Sequence, residues 1–217
     1  MKIGILGTGT VGKTIGTKLI QLNHQVMMGS RTAANEKANE WVNVSGANAA
    51  NGTFSDAAKH GELIFNCTSG MGSLEALKSA GAENMKGKII VDVSNPLDFS
   101  KGMPPTLSVV NDNSLAEQIQ KTFPESKVVK TLNTLNAILM TNPKGLNNGD
   151  HTIFMNGNDD GAKASVRKIL NSFDWKDENI IDMGDITTAR GTEQLLPIWI
   201  RLMVAFGNPM FQFKIVK

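Results

Sequence analysis

The first thirty residues change hydrophobic period twice. Lys2-Ile3-Gly4-Ile5-Leu6 is a short, almost continuously apolar run, the pattern of a strand covered on both faces. From about Thr10 to Asn23 the apolar positions Val11, Ile15, Leu19 and Leu22 follow helical spacing. Gln25-Val26-Met27-Met28-Gly29 then reads as a second strand. Strand, helix and strand in so short a stretch form a βαβ unit, with a right-handed crossover and parallel pairing.

The alternation continues. Glu36 to Val44 predicts a helix, and Gly52-Thr53-Phe54 a weak third strand. A short helix capped by Ser55 should follow and end at Gly61. Glu62 to Cys67 predicts a buried strand, Leu74 to Ala80 a helix, and Lys88 to Val93 another apolar strand. Asn95 to Pro105 is a Pro/Gly-rich loop; Ser114 to Phe123 reads as a helix and Lys127 to Leu132 as a sixth strand. After residue 133 the rhythm breaks at the turn signals Asn142-Pro143-Lys144-Gly145 and Asn148-Gly149-Asp150. A strand (Thr152 to Met155), a helix (Gly161 to Phe173), a short strand (Ile180-Ile181) and a long apolar helix ending at Phe206 complete the pattern. The predicted class is α/β: a Rossmann-type doubly wound parallel sheet over 1–134, then a small, mainly helical C-terminal domain over 135–217.

Composition narrows the function. At 41% apolar and 19% charged, the 217-residue chain suits a globular protein, not a disordered one. Twenty-two Lys and Arg against 20 Asp and Glu leave a net charge of +2, so no electrostatic case exists for nucleic acid or an acidic membrane. The single cysteine, Cys67, excludes an intrachain disulfide and a Cys-based zinc site, and reads as a small core residue. The N-terminus lacks a signal-peptide pattern, and the run Leu195 to Phe206, broken by Pro197 and Arg201, is shorter than the roughly 20 residues that span a bilayer. A cytoplasmic location is expected. A helix apolar nearly all round needs cover, which predicts a homodimer.

Candidate chemistry begins at Gly7-x-Gly9-x-x-Gly12. Alone the triplet is weak; between a first strand and an amphipathic helix it is a dinucleotide fingerprint. Gly7 permits the tight turn, Gly9 lets the backbone approach a pyrophosphate, and Gly12 lets helix pack on strand. Free amides at the helix start then hold phosphate. At the end of the second strand an NAD site needs an acid for the ribose 2′-OH, and the chain has Gly29-Ser30-Arg31-Thr32, with no acid before Glu36. The Arg31 guanidinium and the Ser30 and Thr32 hydroxyls suit a 2′-phosphate, and Lys37 adds charge. NADP is the expected cofactor. Nicotinamide should reach Thr68, Ser69 and Gly70 after the fourth strand, and Asn95 and Pro96 after the fifth.

With these residues in view, the chain resembles the family of NADP oxidoreductases that use coenzyme F420. The matching stretches are Ile3-Gly4-Ile5-Leu6-Gly7-Thr8-Gly9, Gly29-Ser30-Arg31, Val128-Val129-Lys130-Thr131-Leu132-Asn133-Thr134, Asp182-Met183-Gly184-Asp185 with Ala189-Arg190, and Gly207 with Phe213-Lys214-Ile215. The resemblance implies a homodimer and hydride exchange between NADPH and a second ligand in the cleft, F420 or a flavin. It places NADP on Thr8, Thr10, Val11, Ser30 and Arg31, and on the backbone near Ala137. The chain departs from the family at Ser69-Gly70-Met71-Gly72, where proline and an aromatic are typical, and at Asn133, where a histidine is frequent.

No proton donor is assigned, because hydride transfer between ring systems is largely positioning and exclusion of water. The chain has no Tyr, and its histidines (His24, His60, His151) read as solvated loop residues. Met71, Met103 and Met210 read as core or surface filling, with an apolar ligand pocket as the other reading. Two rivals stay open. An imine or carbonyl reductase would need a pocket acid, for which Asp92, Asp98 and Lys130 are the candidates. A non-catalytic NADP(H) sensor would need none.

Overall fold

Alternate residues of the apolar strands face opposite helical layers. The computed structural model describes residues 1–216. In chain order its N-terminal elements are β1 (Lys2–Leu6), α1 (Thr10–Gln21), β2 (Gln25–Ser30), α2 (Glu36–Ser45), β3 (Ala49–Thr53) and α3 (Phe54–His60). Then come β4 (Leu63–Asn66), α4 (Gly70–Ala80), α5 (Ala82–Met85), β5 (Ile89–Asp92) and a small hairpin of β6 (Leu97–Asp98) and β7 (Thr106–Leu107). The remainder is α6 (Leu115–Thr122), β8 (Lys127–Thr131), α7 (Ala137–Thr141), β9 (Ile153–Gly157), α8 (Asp160–Ser172), β10 (Ile180–Asp182), α9 (Ala189–Gln194) and α10 (Leu196–Phe206).

The main sheet has eight strands in the order β10-β9-β8-β5-β4-β1-β2-β3. Neighbours pair parallel except β8 with β9. On one face Ile3, Ile5, Leu63, Phe65, Val91 and Val129 pack with Ile15 and Leu19 of α1, Trp41 of α2 and Val166 of α8. On the other, Leu6, Ile64, Ile90 and Val128 meet α3, α4 and α6. Each such side chain, fully buried, contributes about 1.5–3 kcal/mol. The chain runs outward from β1 through β2 to β3, then crosses back to β4, so the order reverses between β1 and β4. In an open α/β sheet that switch point leaves a crevice beyond the strand ends.

Several expectations are corrected. The third strand is Ala49–Thr53, and its last residue, not Ser55, caps α3: Thr53 and Asp56 form a capping box. The helix expected from Leu74 begins one turn earlier, at Gly70. The boundary expected at 134/135 falls inside one sheet, since β9 and β10 extend it and share the core around Ile3. The long last helix is two helices, with α10 restarting at Leu196 and Pro197 in its first turn. It is not uniformly covered: Leu196, Trp199 and Ile200 are buried, while Val204 and Phe206 are exposed. His151 is buried, not solvated; its Nε2 lies 2.9 Å from the Pro143 carbonyl and its ring meets Trp175 edge-on. Burial holds its pKa below the usual histidine value.

Candidate active site

Beyond the ends of β1, β2 and β4 lies a cleft of about 540 Å³. Gly7, Thr8, Gly9, Ser30, Arg31, Thr68 and Ser69 line it, joined by Asn35, Phe54 and Glu75. Gly7 has φ +116°, and a Cβ there would stand 2.7 Å from the Cys67 carbonyl, so no other residue keeps this turn. Gly12 lies behind it; a Cβ would come within 2.2 Å of the Gly7 carbonyl. Gly9 differs, for nothing stands within 4 Å of a Cβ built on it. Its open side is room for a ligand, not for protein.

The electrostatics of the cleft come from backbone. Side chains cap α2 (Asn35), α3 (Thr53), α6 (Ser114), α7 (Asn136) and α8 (Asp159). The helices that start at the cleft, α1 after Gly9 and α4 after Ser69, have no side-chain cap and no acid in their first turns. Their first amides are left for an anion. Arg31 is exposed at the cleft and makes no salt bridge among the described residues, whereas Arg167 and Arg190 are both paired. Asn51 steadies the loop beyond it, donating to the Ala33 carbonyl at 2.9 Å. This set fits a dinucleotide with a 2′-phosphate.

A second cavity of about 430 Å³ adjoins the first and shares Cys67, Thr68 and Ser69 with it. Val11, Gly70, Met71, Val93, Leu97 and Phe99 make it largely apolar, and Ser94 and Asn95 supply polarity. Cys67 is half-buried: it packs against the core, as expected, and also stands in the wall between the cavities; burial, with nearby Asp92, pushes its thiol pKa up and keeps it protonated. Of the methionines singled out, Met71 alone lines a cavity; Met103 is exposed, and Met210 packs on the core.

Other expected site residues fall outside both cavities. Thr10 is the exposed first residue of α1. Thr32 is exposed, and its carbonyl accepts the Ser30 hydroxyl at 2.5 Å. Lys37 is exposed on α2. Pro96 is buried, its carbonyl bound by the Ser108 amide at 2.8 Å. Ala137 begins α7, half-buried. Glu75 and Ser79 were missed, although Gly72, Glu75, Ala76 and Ser79 share the helical spacing that brings one face of α4 to the cleft.

The acids proposed for a carbonyl or imine reductase are already committed. Lys130 and Asp92 are fully buried and paired at 2.8 Å, and Lys130 also meets Glu193 at 2.9 Å. Burial alone would lower the Lys130 pKa; the two carboxylates outweigh it and hold the ammonium charged. Asp98 accepts the Ser100 amide at 2.8 Å, which holds its carboxyl below the usual range.

Known proteins carry the same pattern. A family model described as "NADP oxidoreductase coenzyme F420-dependent" matches residues 2–96. The F420-dependent NADP reductase of Methanocaldococcus jannaschii is 33% identical, over 96% of this chain and 95% of that protein. The chain belongs to this family of NADP oxidoreductases. A solved structure from Arthrobacter sp. fb24, provisionally described as an F420-dependent NADP-reductase, is 51% identical and superposes with a TM-score of 0.95 over all of both chains. Metalloreductase STEAP3 of Rattus norvegicus is 30% identical over 95% of this chain, which spans 39% of that protein. An imine reductase from Aspergillus terreus, solved with NADPH4, shares the fold at a TM-score of 0.66 and 17% identity, over 95% of this chain and 63% of that one. The protein is thus an NADP-dependent oxidoreductase of Rossmann fold. No helix among the described residues is long and apolar enough to cross a membrane.

Proposed function

We infer that the two cavities are halves of one site, with NADP in the first and a planar, largely apolar hydride acceptor in the second. The observation that carries this reading is the shared wall, Cys67-Thr68-Ser69. NADPH, when bound, supplies a hydride. The rest is positioning: the first amides of α1 and α4 and the Arg31 guanidinium hold the phosphates, and Thr68 and Ser69 stand where the rings would face each other. Val11, Val93, Leu97 and Phe99 exclude water from the acceptor side. Thr68 is fixed for this, its hydroxyl donating to Asn66 Oδ1 at 2.7 Å.

A deazaflavin or flavin is the acceptor class this favours, in line with the names of the relatives. Asn95 offers an amide to a ring carbonyl or ring nitrogen. The commitment of Asp92, Asp98 and Lys130 elsewhere speaks against a carbonyl or imine reductase that draws a proton from them. We place the active form as a homodimer, on the exposed end of α10. The test is NADPH oxidation with F420, FMN, FAD, ferric chelates and simple imines offered in parallel. Turnover is expected with F420 or a free flavin. Turnover with imines alone would overturn the reading, as would tight NADPH binding with no turnover on any acceptor, the behaviour of a sensor.

A further inference from the structure

Two consecutive residues of α9 reach two consecutive residues of the acceptor cavity by separate routes. Glu193 is 1% exposed; its Oε1 accepts Lys130 Nζ at 2.9 Å and the Ala116 amide at 3.1 Å, and its Oε2 accepts the Leu115 amide at 2.8 Å, so it also ties down the start of α6. Lys130 Nζ also donates to the carbonyl of Ser94 and to Asp92 Oδ2. Asp92 Oδ1 in turn accepts the Ser94 hydroxyl at 2.7 Å and the Ser94 amide at 3.2 Å. The ammonium has three protons and three acceptors, so it is saturated. One residue earlier, the Thr192 carbonyl accepts Asn133 Nδ2 at 3.1 Å. The same nitrogen donates to Asn95 Oδ1 at 3.0 Å, and Asn95 Nδ2 returns a bond to the Asn133 carbonyl at 2.8 Å. Ser94 and Asn95 are the polar wall of the second cavity.

The backbone at Asn133 is bent for this purpose. Leu132, buried just past β8, has φ +59°, a left-handed conformation that residues other than glycine rarely adopt. The bend presents the Asn133 amide to Asn95 and Thr192 together. Buried polar groups linked this extensively are rigid, because releasing one leaves a partner unpaired in a dry interior.

We propose that Glu193 and Asn133 are positioning residues for the hydride acceptor: through Lys130 and Asn95 they fix the Ser94–Asn95 wall against which the acceptor is held. The proposal rests on the reading of the second cavity as the acceptor's. It makes α9, far along the chain and lining neither cavity, a determinant of acceptor affinity and alignment, with NADP affinity set elsewhere.

The test compares the full-length wild type with Glu193→Gln and Asn133→Ala. Three quantities are measured: amide hydrogen exchange over residues 93–97, NADPH affinity by nucleotide fluorescence, and F420 affinity with NADP+ bound. In Glu193→Gln, exchange over 93–97 is expected to rise about tenfold, and F420 affinity to fall about fivefold. NADPH affinity should stay within about twofold. Asn133→Ala, which leaves the charges intact, should give the same selective pattern, and it decides the matter alone should Glu193→Gln not fold. Exchange that accelerates evenly across the sheet, with NADPH and F420 affinities falling together, would make Glu193 a structural weld and overturn the proposal. Unchanged exchange over 93–97 in both variants would do the same. A wild type that binds NADPH but not F420 would count against the reading of the cavity, while the exchange comparison would still decide whether α9 fixes the wall.

Discussion

Arg190 of α9 grips Glu117 of α6 through both its Nε and Nη2, at 2.6–3.1 Å. Ser114 donates to the same carboxylate at 2.8 Å. The Arg190 hydrogen bond comes first among the causes that hold the Glu117 pKa below its ordinary 4.5. A carboxyl depressed on folding stabilises the native state above its unfolded pKa, and that contribution is lost as pH falls through the folded value. Urea midpoints should therefore drop below about pH 4.5 in the wild type. Glu117→Gln should start lower at pH 7 and decline less over the same window. Parallel curves for the two proteins would show that the pair contributes no pH-dependent stability.

The Arg31 guanidinium, unpaired among the described residues, is the group proposed to set the choice of coenzyme. A hydrogen bond to a charged group contributes about 1.5–3 kcal/mol, or roughly ten- to a hundredfold in affinity. Arg31→Ala should weaken NADPH by that factor and leave NADH, which lacks the 2′-phosphate, nearly unchanged. The wild type should bind NADPH at least about tenfold more tightly than NADH. Titration of both nucleotides against both proteins checks this, and equal losses for the two would remove Arg31 from the 2′-phosphate.

The proposed dimer rests on the exposed side chains of α10. Ile198, Val204 and Phe206 are 52%, 63% and 61% exposed. A second copy seated there would remove these side chains from water. Light scattering at micromolar concentration should give twice the mass of the 23.4 kDa chain. Phe206→Glu should shift the population toward monomer without changing NADPH affinity. A monomeric wild type would leave the exposed end of α10 without this explanation.

How far the sequence showed these features depends on the distance over which each is specified. Strands such as Lys2–Leu6 and the glycine turn are written in local period and spacing, and the structure has them in place. The start of α4 was hidden because Gly70 and Gly72 lower helix propensity. Packing overrides that penalty: a Cβ at Gly70 would stand 1.9 Å from the Asn95 carbonyl, so only glycine fits there. The cap of α3 was legible in Thr53-x-x-Asp56 but was assigned to the neighbouring Ser55. The cluster of Asp92, Lys130 and Glu193 left no local trace, because its members lie on β5, β8 and α9 and only the assembled sheet brings them together. The second face of Cys67 has a related cause: it lies one residue past β4 and packs on the core, and only the point where the sheet order reverses also sets it beside the crevice.

Two glycines of the fingerprint, Gly9 and Gly12, separate folding from binding. Gly9 has φ −77°, which alanine adopts freely, and a methyl there meets no protein atom. Gly9→Ala should therefore cost stability no more than about 1 kcal/mol, the difference between the two residues at a helix N-cap. The methyl would, however, occupy the open side beside the free amides of α1, where the proposed pyrophosphate would come close, and NADPH affinity should fall by about tenfold or more. Gly12→Ala inverts the pattern. Its methyl would lie 2.2 Å from the Gly7 carbonyl, so α1 must move off β1, and loss of cooperative unfolding or a large drop in midpoint should precede any effect on binding. Thermal unfolding and NADPH titration on both variants read the two effects independently. A Gly9→Ala protein that binds NADPH as tightly as the wild type would mean that the pyrophosphate does not lie against this turn, and the first cavity would lose its assignment even with the fold intact.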